Sequence, residues 1–330
     1  VSIQDVAEAA GVSIATVSRV LNNPTLVSPR TATKVRDAIN ALGYVPNAFA
    51  QGLISKSSRV LGVVLPDIHG EFYSELLRGA DSEARHQGYS LLVCSRLRSA
   101  DGSLLPIAAL GFVDGLALMI TEPDEGLLRL LRTHATPTVV LDAEAEAGAG
   151  IDTVIVDNAA GAREATEHLL KHVPADRLCF VGGPRDNFDT KTRAAAFIDA
   201  IAASAGAPPD DARVAFGTYS FEWGRQWASD HAASLDRAGV LAGNDEIAYG
   251  VVHRAEELGL KAGRDFMLVG FDDTRLASLV RPMLSTVRVP LADVGAAAVS
   301  LLVKRIKDRG APVSHVRLTP RLIVRETTRD

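Results

Sequence analysis

Two groups of side chains in this sequence have types and spacings suited to chemistry. Near the amino end, Ile14, Ala15, Thr16, Ser18, Arg19 and Asn22 recur at helical intervals, with Ser28, Arg30 and Thr31 shortly after. An arginine fork takes guanine O6 and N7 together, whereas Ile14 and Ala15 can only meet thymine methyls or exclude bulkier arrangements. The hydroxyls and Asn22 suit phosphate oxygens, which position a protein on a duplex without reading its sequence. The second group consists of polar residues that follow apolar runs. Asp142 comes after Val-Val-Leu, Asn187 and Asp189 after Phe-Val-Gly-Gly, Arg193 one turn later, and Asp245 after Leu-Ala-Gly-Asn; Phe72, Tyr73 and Tyr219 add rings. Carboxylates beside one arginine accept hydroxyls and repel a highly anionic ligand, and a ring stacks on the C–H face of a sugar. A neutral sugar, a small glycoside or a polyol is the ligand class expected.

The elements that must carry the first group are legible in caps and turns. Ser2 caps a helix with Asp5 one turn on, and Val6, Ala9 and Ala10 are its expected buried face before Gly11 breaks it. Ser13 caps a second helix that turns Val17, Val20 and Leu21 inward. Asn22-Asn23-Pro24 ends it; Ser28-Pro29 opens a third helix, in which Val35, Ile39 and Leu42 pack inward before Gly43. Such a unit can place the start of its second helix in a DNA major groove, about 12 Å wide. A three-helix protein-interaction module is the plainer alternative, but caps, turn and outward residues agree on DNA.

Beyond Lys56-Ser-Ser-Arg59, strand-length apolar runs alternate with helical stretches, which predicts βαβ units and parallel sheets. The pattern restarts after Asp157, so two similar α/β halves are expected. In open parallel sheets ligands settle beyond the carboxyl ends of the strands, where the second group of residues lies. Acids at such places also cap helices, and Asp272 and Asp273 fit that plainer role best.

Val12-Ser-Ile-Ala-Thr-Val-Ser-Arg-Val-Leu-Asn22 with Gly43-Tyr-Val-Pro-Asn47 resembles the headpiece of the lactose-repressor (LacI/GalR) family of bacterial transcription regulators. Pro46 to Leu53 looks like that family's hinge helix. Gly62 to Asp67, Asp157-Asn158, Gly182-Gly-Pro184, Thr192-Arg193, Asn244-Asp245 and Gly270-Phe-Asp-Asp273 resemble its core motifs in order. The resemblance spans nearly the whole chain. It implies a helix-turn-helix headpiece over 1–45, a hinge over 46–58 and a two-lobed core like periplasmic binding proteins over 59–330. One lobe would comprise about 59–157 plus 289–317 and the other about 158–288 plus 318–330. It also implies that Asn47, Ala50 and Leu53 join the DNA contacts, Leu53 as an apolar wedge in the minor groove that bends the duplex. The expected partners are a palindromic operator, read as a homodimer, and a small-molecule effector that controls operator affinity. Gln51 departs from the family's pattern, where arginine is common.

Composition fits this. The chain has 330 residues, 47% of them hydrophobic, and no long apolar run, so a cytoplasmic protein without a membrane span is expected. Its net charge of −5 is unusual for a DNA binder, yet Arg19, Arg30, Lys34, Arg36 and Lys56 outnumber Asp5, Glu8 and Asp37 before residue 59. Cys94 and Cys179 lie in apolar strand runs and are expected buried and reduced. No nucleophile elbow or Gly-rich phosphate loop is present, so neither catalysis nor a cofactor is expected. His168 and His172 share a helix face but lack a third ligand at metal spacing; a solvated face is expected, and no metal. A periplasmic sugar receptor would share the lobes but have no use for the headpiece, whereas a regulator answering to a purine corepressor or protein partner would differ in the sign of its response.

Overall fold

The computed structural model describes residues 1–22, 24–44, 57–95, 112–122, 126–127, 131, 135–141 and 150–328. The side chain of Asn22 and residues Asn47, Ala50, Leu53 and Asp142 lie outside the described residues. The chain divides into two compact units, Val1–Ser58 and Arg59–Asp330.

The first unit consists of α1 (Ile3–Ala10), α2 (Ile14–Asn22) and α3 (Pro29–Leu42). Ser2 and Asp5 form a reciprocal capping box at α1, and Gly11 closes that helix at φ 63°, a left-handed value at which a side chain is strained. Val6, Ala7, Val17, Val20, Ala32, Val35 and Ala38 form the core. Ala7 rather than Ala9 is buried; Ala9 is exposed, because the inward stripe runs through Ile3, Val6, Ala7 and Ala10 at spacings of three and four.

The second unit contains two six-stranded sheets. The strands are β1 (Val60–Leu65), β2 (Ser90–Ser95), β3 (Gly115–Met119), β4 (Thr138–Leu141), β5 (Asp152–Val156), β6 (Leu178–Gly182), β7 (Val214–Phe216), β8 (Gly239–Ala242), β9 (Met267–Asp272), β10 (Ser285–Arg288), β11 (His315–Leu318) and β12 (Arg321–Ile323). The described helices are α4 (Glu71–His86), α5 (Asn158–Leu170), α6 (Phe188–Ala205), α7 (Phe221–Asp230), α8 (Ala232–Leu235), α9 (Asp245–Glu257), α10 (Arg275–Leu279) and α11 (Leu291–Lys307). One sheet runs β11-β5-β4-β3-β1-β2, all parallel, and the other β12-β10-β9-β8-β6-β7. β12 is the exception to the parallel pattern. It pairs antiparallel with β10, having crossed from the other lobe after only Thr319 and Pro320. Strands such as β1 are nearly uniformly apolar because helices cover both faces.

The chain passes between lobes after β5, after β10 and after β11. Each lobe has a core on either face of its sheet, and Phe72 packs against cores of both. Cys179 is buried, but Cys94 is only partly covered because β2 is the edge strand of its sheet. His168 is not on a solvated face. Its Nε2 meets Thr328 Oγ1 at 2.9 Å, and burial lowers its pKa. Among the described residues, no helix is long and apolar enough to cross a membrane.

Candidate functional site

In the headpiece, polar groups are held by neighbours in sequence. Ser13 Oγ accepts from the Thr16 amide at 3.2 Å and meets its hydroxyl at 2.9 Å; Ser28 does the same for Thr31 at 3.3 and 2.9 Å. These contacts start α2 and α3, so Ser13 and Ser28 act as caps whatever else they touch. Ile14, Ala15 and Arg19 are exposed on α2, Thr16 and Ser18 are partly covered, and the opposite face carries Val17 and Val20 into the core. An exposed helix face bearing Ile14 and Ala15 in its first turn and Arg19 in its last can enter a major groove without disturbing the core that holds it.

The cleft is built on the carboxyl ends of the strands, chiefly around Arg193 in α6, which is 3% exposed. Its Nε donates to Asn158 Oδ1 at 2.8 Å, its Nη1 to the Gly243 carbonyl at 2.7 Å and its Nη2 to Asp189 Oδ2 at 3.4 Å; the guanidinium lies 3.8 Å over the Phe271 ring. Asn158 completes the clamp by donating through Nδ2 to Asp189 Oδ1 at 2.8 Å. It reaches this place because β5 ends at Val156, Asp157 caps α5 by accepting from the Ala160 amide, and the chain crosses lobes there. Asp157-Asn158 is legible in the sequence as a motif, but the place of Asn158 beside Arg193 is not.

Asp189, Arg193, Tyr219 and Asp272 are close enough to influence one another's charge. The Tyr219 hydroxyl shares a hydrogen with Thr190 at 2.7 Å and donates to Asn187 Oδ1 at 3.3 Å; burial raises its pKa. Asn187 Oδ1 also accepts from the Thr190 amide at 3.0 Å, so Asn187 is the cap of α6. Burial raises the Asp189 carboxyl, against the opposing pull of Arg193.

Asp245 and Asp272 differ sharply in their surroundings. Both oxygens of Asp245 are engaged within the protein: Oδ1 accepts from Thr286 Oγ1 at 2.6 Å, and Oδ2 from the Thr274 amide and hydroxyl at 2.7 and 3.0 Å. A Cβ at Gly270 would collide with this carboxylate, so the glycine leaves room for it. Burial pushes its pKa up to about 7 despite those donors. Asp272 is also buried, but its Oδ1 has no hydrogen-bond partner among the described residues, and burial holds its pKa well above the ordinary carboxylate value. Neither Asp272 nor Asp273 caps α10, contrary to expectation, because Thr274 occupies the cap position and Asp245 takes its amide. Instead both acids sit at positive φ, 104° and 57°, and Asp273 ties the turn down through Arg288 at 2.5 Å and Arg325 at 2.6 Å. Two ion pairs therefore hold a strained turn that presents a buried, unsatisfied carboxylate.

Asp272 lines a cavity of about 470 Å³ between Glu71 of α4 and Arg288 of β10, and Asn158, Phe188 and Asp189 line another of about 250 Å³. Phe188 bridges the lobes, its amide donating to the Thr121 carbonyl at 2.9 Å and its ring packing against a core of the first lobe. Phe72 and Tyr73 stand edge to face with centroids 5.1 Å apart and border neither cavity.

Residues 2–47 match the model for bacterial regulatory proteins of the lacI family, and residues 166–328 the model for a periplasmic binding protein-like domain. The chain is 34% identical to catabolite control protein A of Priestia megaterium over 332 residues, covering 100% of this chain and 99% of that protein. It belongs to the lacI family of bacterial regulatory proteins. Among solved structures of similar proteins, a lac repressor dimer bound to operator and the anti-inducer ONPF has a TM-score of 0.88 at 27% identity, covering 100% of this chain and 99% of that one. A complex of the transcriptional regulator CelR with cellobiose has a TM-score of 0.73 at 25% identity, covering 99% of each chain. As a member of this family, the chain is a DNA-binding transcriptional regulator.

Proposed function

We propose that this regulator reads a palindromic operator as a homodimer and is released from it when a neutral sugar or polyol closes the cleft. The unsatisfied Asp272 oxygen carries the ligand assignment. A buried acceptor without a donor costs about 1–3 kcal/mol, which a hydroxyl of the ligand offsets. Asn158 and Asp189, tied to Arg193, add donors and acceptors at the second cavity. Arg193 is already engaged by Asn158, the Gly243 carbonyl and Asp189, which disfavours phosphorylated ligands at this place. The cellobiose bound by CelR supplies a precedent for a neutral sugar in a similar chain.

On the DNA side, Arg19 supplies the base-specific hydrogen bonds, with Ile14 and Ala15 shaping the contact and Thr16, Ser18, Asn22, Ser28 and Thr31 on phosphates. Asn47, Ala50 and Leu53 form the minor-groove contact. Effector-driven movement of the lobes alters this hinge, with a reciprocal coupling of about 1–3 kcal/mol. Calorimetric titration against sugar and purine panels, paired with operator anisotropy titrations, tests the assignment. A neutral sugar or polyol that binds wild type, fails to bind Asp272→Ala and weakens operator affinity is expected. Binding confined to purines or sugar phosphates overturns it.

A further inference from the structure

At the opposite end of the second sheet from the cleft, the segments that lead into β6, β8 and β9 enclose a pocket of about 440 Å³. Its floor is apolar, made by buried Val173, Ala238 and Phe266 with Met267. Its remaining lining is mainly basic: Arg177, Arg237 and Arg264 with His172, against one carboxylate, Asp265. That carboxylate is already engaged. Arg264 holds it through Nε–Oδ1 at 2.9 Å and Nη2–Oδ2 at 2.6 Å, and the Lys261 amide donates to Oδ2 at 2.7 Å. Three guanidinium groups therefore meet at one pocket on a chain of net charge −5.

Arg237 adds a second, independent observation. Its backbone is left-handed, at φ 59°, a conformation suited to glycine and strained for an arginine. The turn is fixed by its amide, which donates to the Asp265 carbonyl at 2.6 Å, and by the Met267 amide, which donates to the Ala238 carbonyl at 2.9 Å. Its nearest carboxylate, Asp236, is 3.9 Å away and both side chains are exposed, so this ion pair does not explain an arginine at a glycine position. Strain retained at a defined side chain beside a cavity indicates a role for that side chain.

We propose that this pocket binds a small organic phosphate, with phosphoryl oxygens on Arg177 and Arg237 and the organic part on the Val173–Phe266 floor. Planar guanidiniums match phosphate oxygens in paired fashion, and the apolar floor favours a phosphate ester over the inorganic ion. The site is separate from the sugar cleft, so the regulator has two inputs of different charge.

The test uses the full-length protein and calorimetric titration with inorganic pyrophosphate, ATP and adenosine. Pyrophosphate and ATP bind saturably, ATP more tightly, and adenosine alone does not bind measurably. The double variant Arg177→Ala/Arg237→Gly binds both phosphates at least about tenfold more weakly, the loss expected for charge-assisted hydrogen bonds. Arg237→Gly alone keeps or raises the unfolding midpoint, since glycine relieves the strain, which separates lost binding from lost folding. Absence of saturable phosphate binding by wild type at millimolar concentration, or undiminished binding by the double variant, overturns the proposal. The second result would place the anions on the headpiece or elsewhere.

Discussion

The headpiece and the cleft place their polar groups in opposite ways. Ser2, Ser13 and Ser28 are each satisfied three residues along the chain, leaving Ile14, Ala15 and Arg19, the proposed groove-facing side chains, exposed and outside the core. In the cleft, Arg193 reaches Asn158 across 35 residues and Gly243 across 50, while Asp245 reaches Thr286 across 41. The proposed recognition residues of the headpiece are thus nearly independent of folding, whereas the buried groups proposed to bind the effector also hold the cleft together.

The largest expected effect is on the cleft. Arg193→Met leaves Asp189 and Asn158 without their partner and destabilises the second unit by about 3–5 kcal/mol, with loss of effector binding; urea unfolding followed at the tryptophans measures it. A midpoint unchanged from wild type would remove the distinction between the two regions.

Asp245 supplies a pH test. Burial raises its folded-state pKa from the ordinary 3.8 to about 7, so the native state keeps a proton that the unfolded chain releases. Its contribution is fully present below the unfolded pKa and is lost as pH rises through about 7, by at most about 4 kcal/mol. Asp245→Asn is therefore expected to flatten the fall in stability between about pH 5 and about pH 7.5, measured by denaturant titrations across that range.

Smaller effects are expected in the headpiece. Arg19→Ala weakens discrimination at one operator base pair by about 1–3 kcal/mol while leaving the thermal midpoint unchanged, read by anisotropy against single-substitution operators. A shifted midpoint would show that recognition and folding are coupled there too. Smallest is Ser28→Ala, which removes the cap of α3 at a cost of about 1 kcal/mol; amide exchange localised to the first turn of α3 checks it.

The same difference explains what could be read in advance. Ser13, Gly11 and the Val17–Val20 stripe announce α2 because caps, breakers and helical period are local signals. Ala9 is exposed and Ala7, two residues earlier, is buried instead, since alanine is small enough for either side. Strand runs such as Val60–Leu65 and Thr138–Leu141 were plain because buried parallel strands are continuously apolar. The cleft was legible only as a set of loop ends. Asp245 follows β8 and was expected to meet ligand, while Asp272 ends β9 and was expected to cap, yet Thr274 and Thr286 converge on Asp245 and leave an oxygen of Asp272 without a partner among the described residues.

The residue order alone thus determined the three capped helices, the alternation of strands and helices, and the placing of polar side chains just beyond strand ends, because each depends on neighbours a few positions away. Tertiary structure alone decided which of those side chains are satisfied by the protein and which face a cavity unsatisfied. That outcome depends on crossovers and strand neighbours dozens of residues apart, as with Asn158 beside Arg193 and Thr286 beside Asp245. A buried polar group is defined by its partners, and those partners are set by the fold.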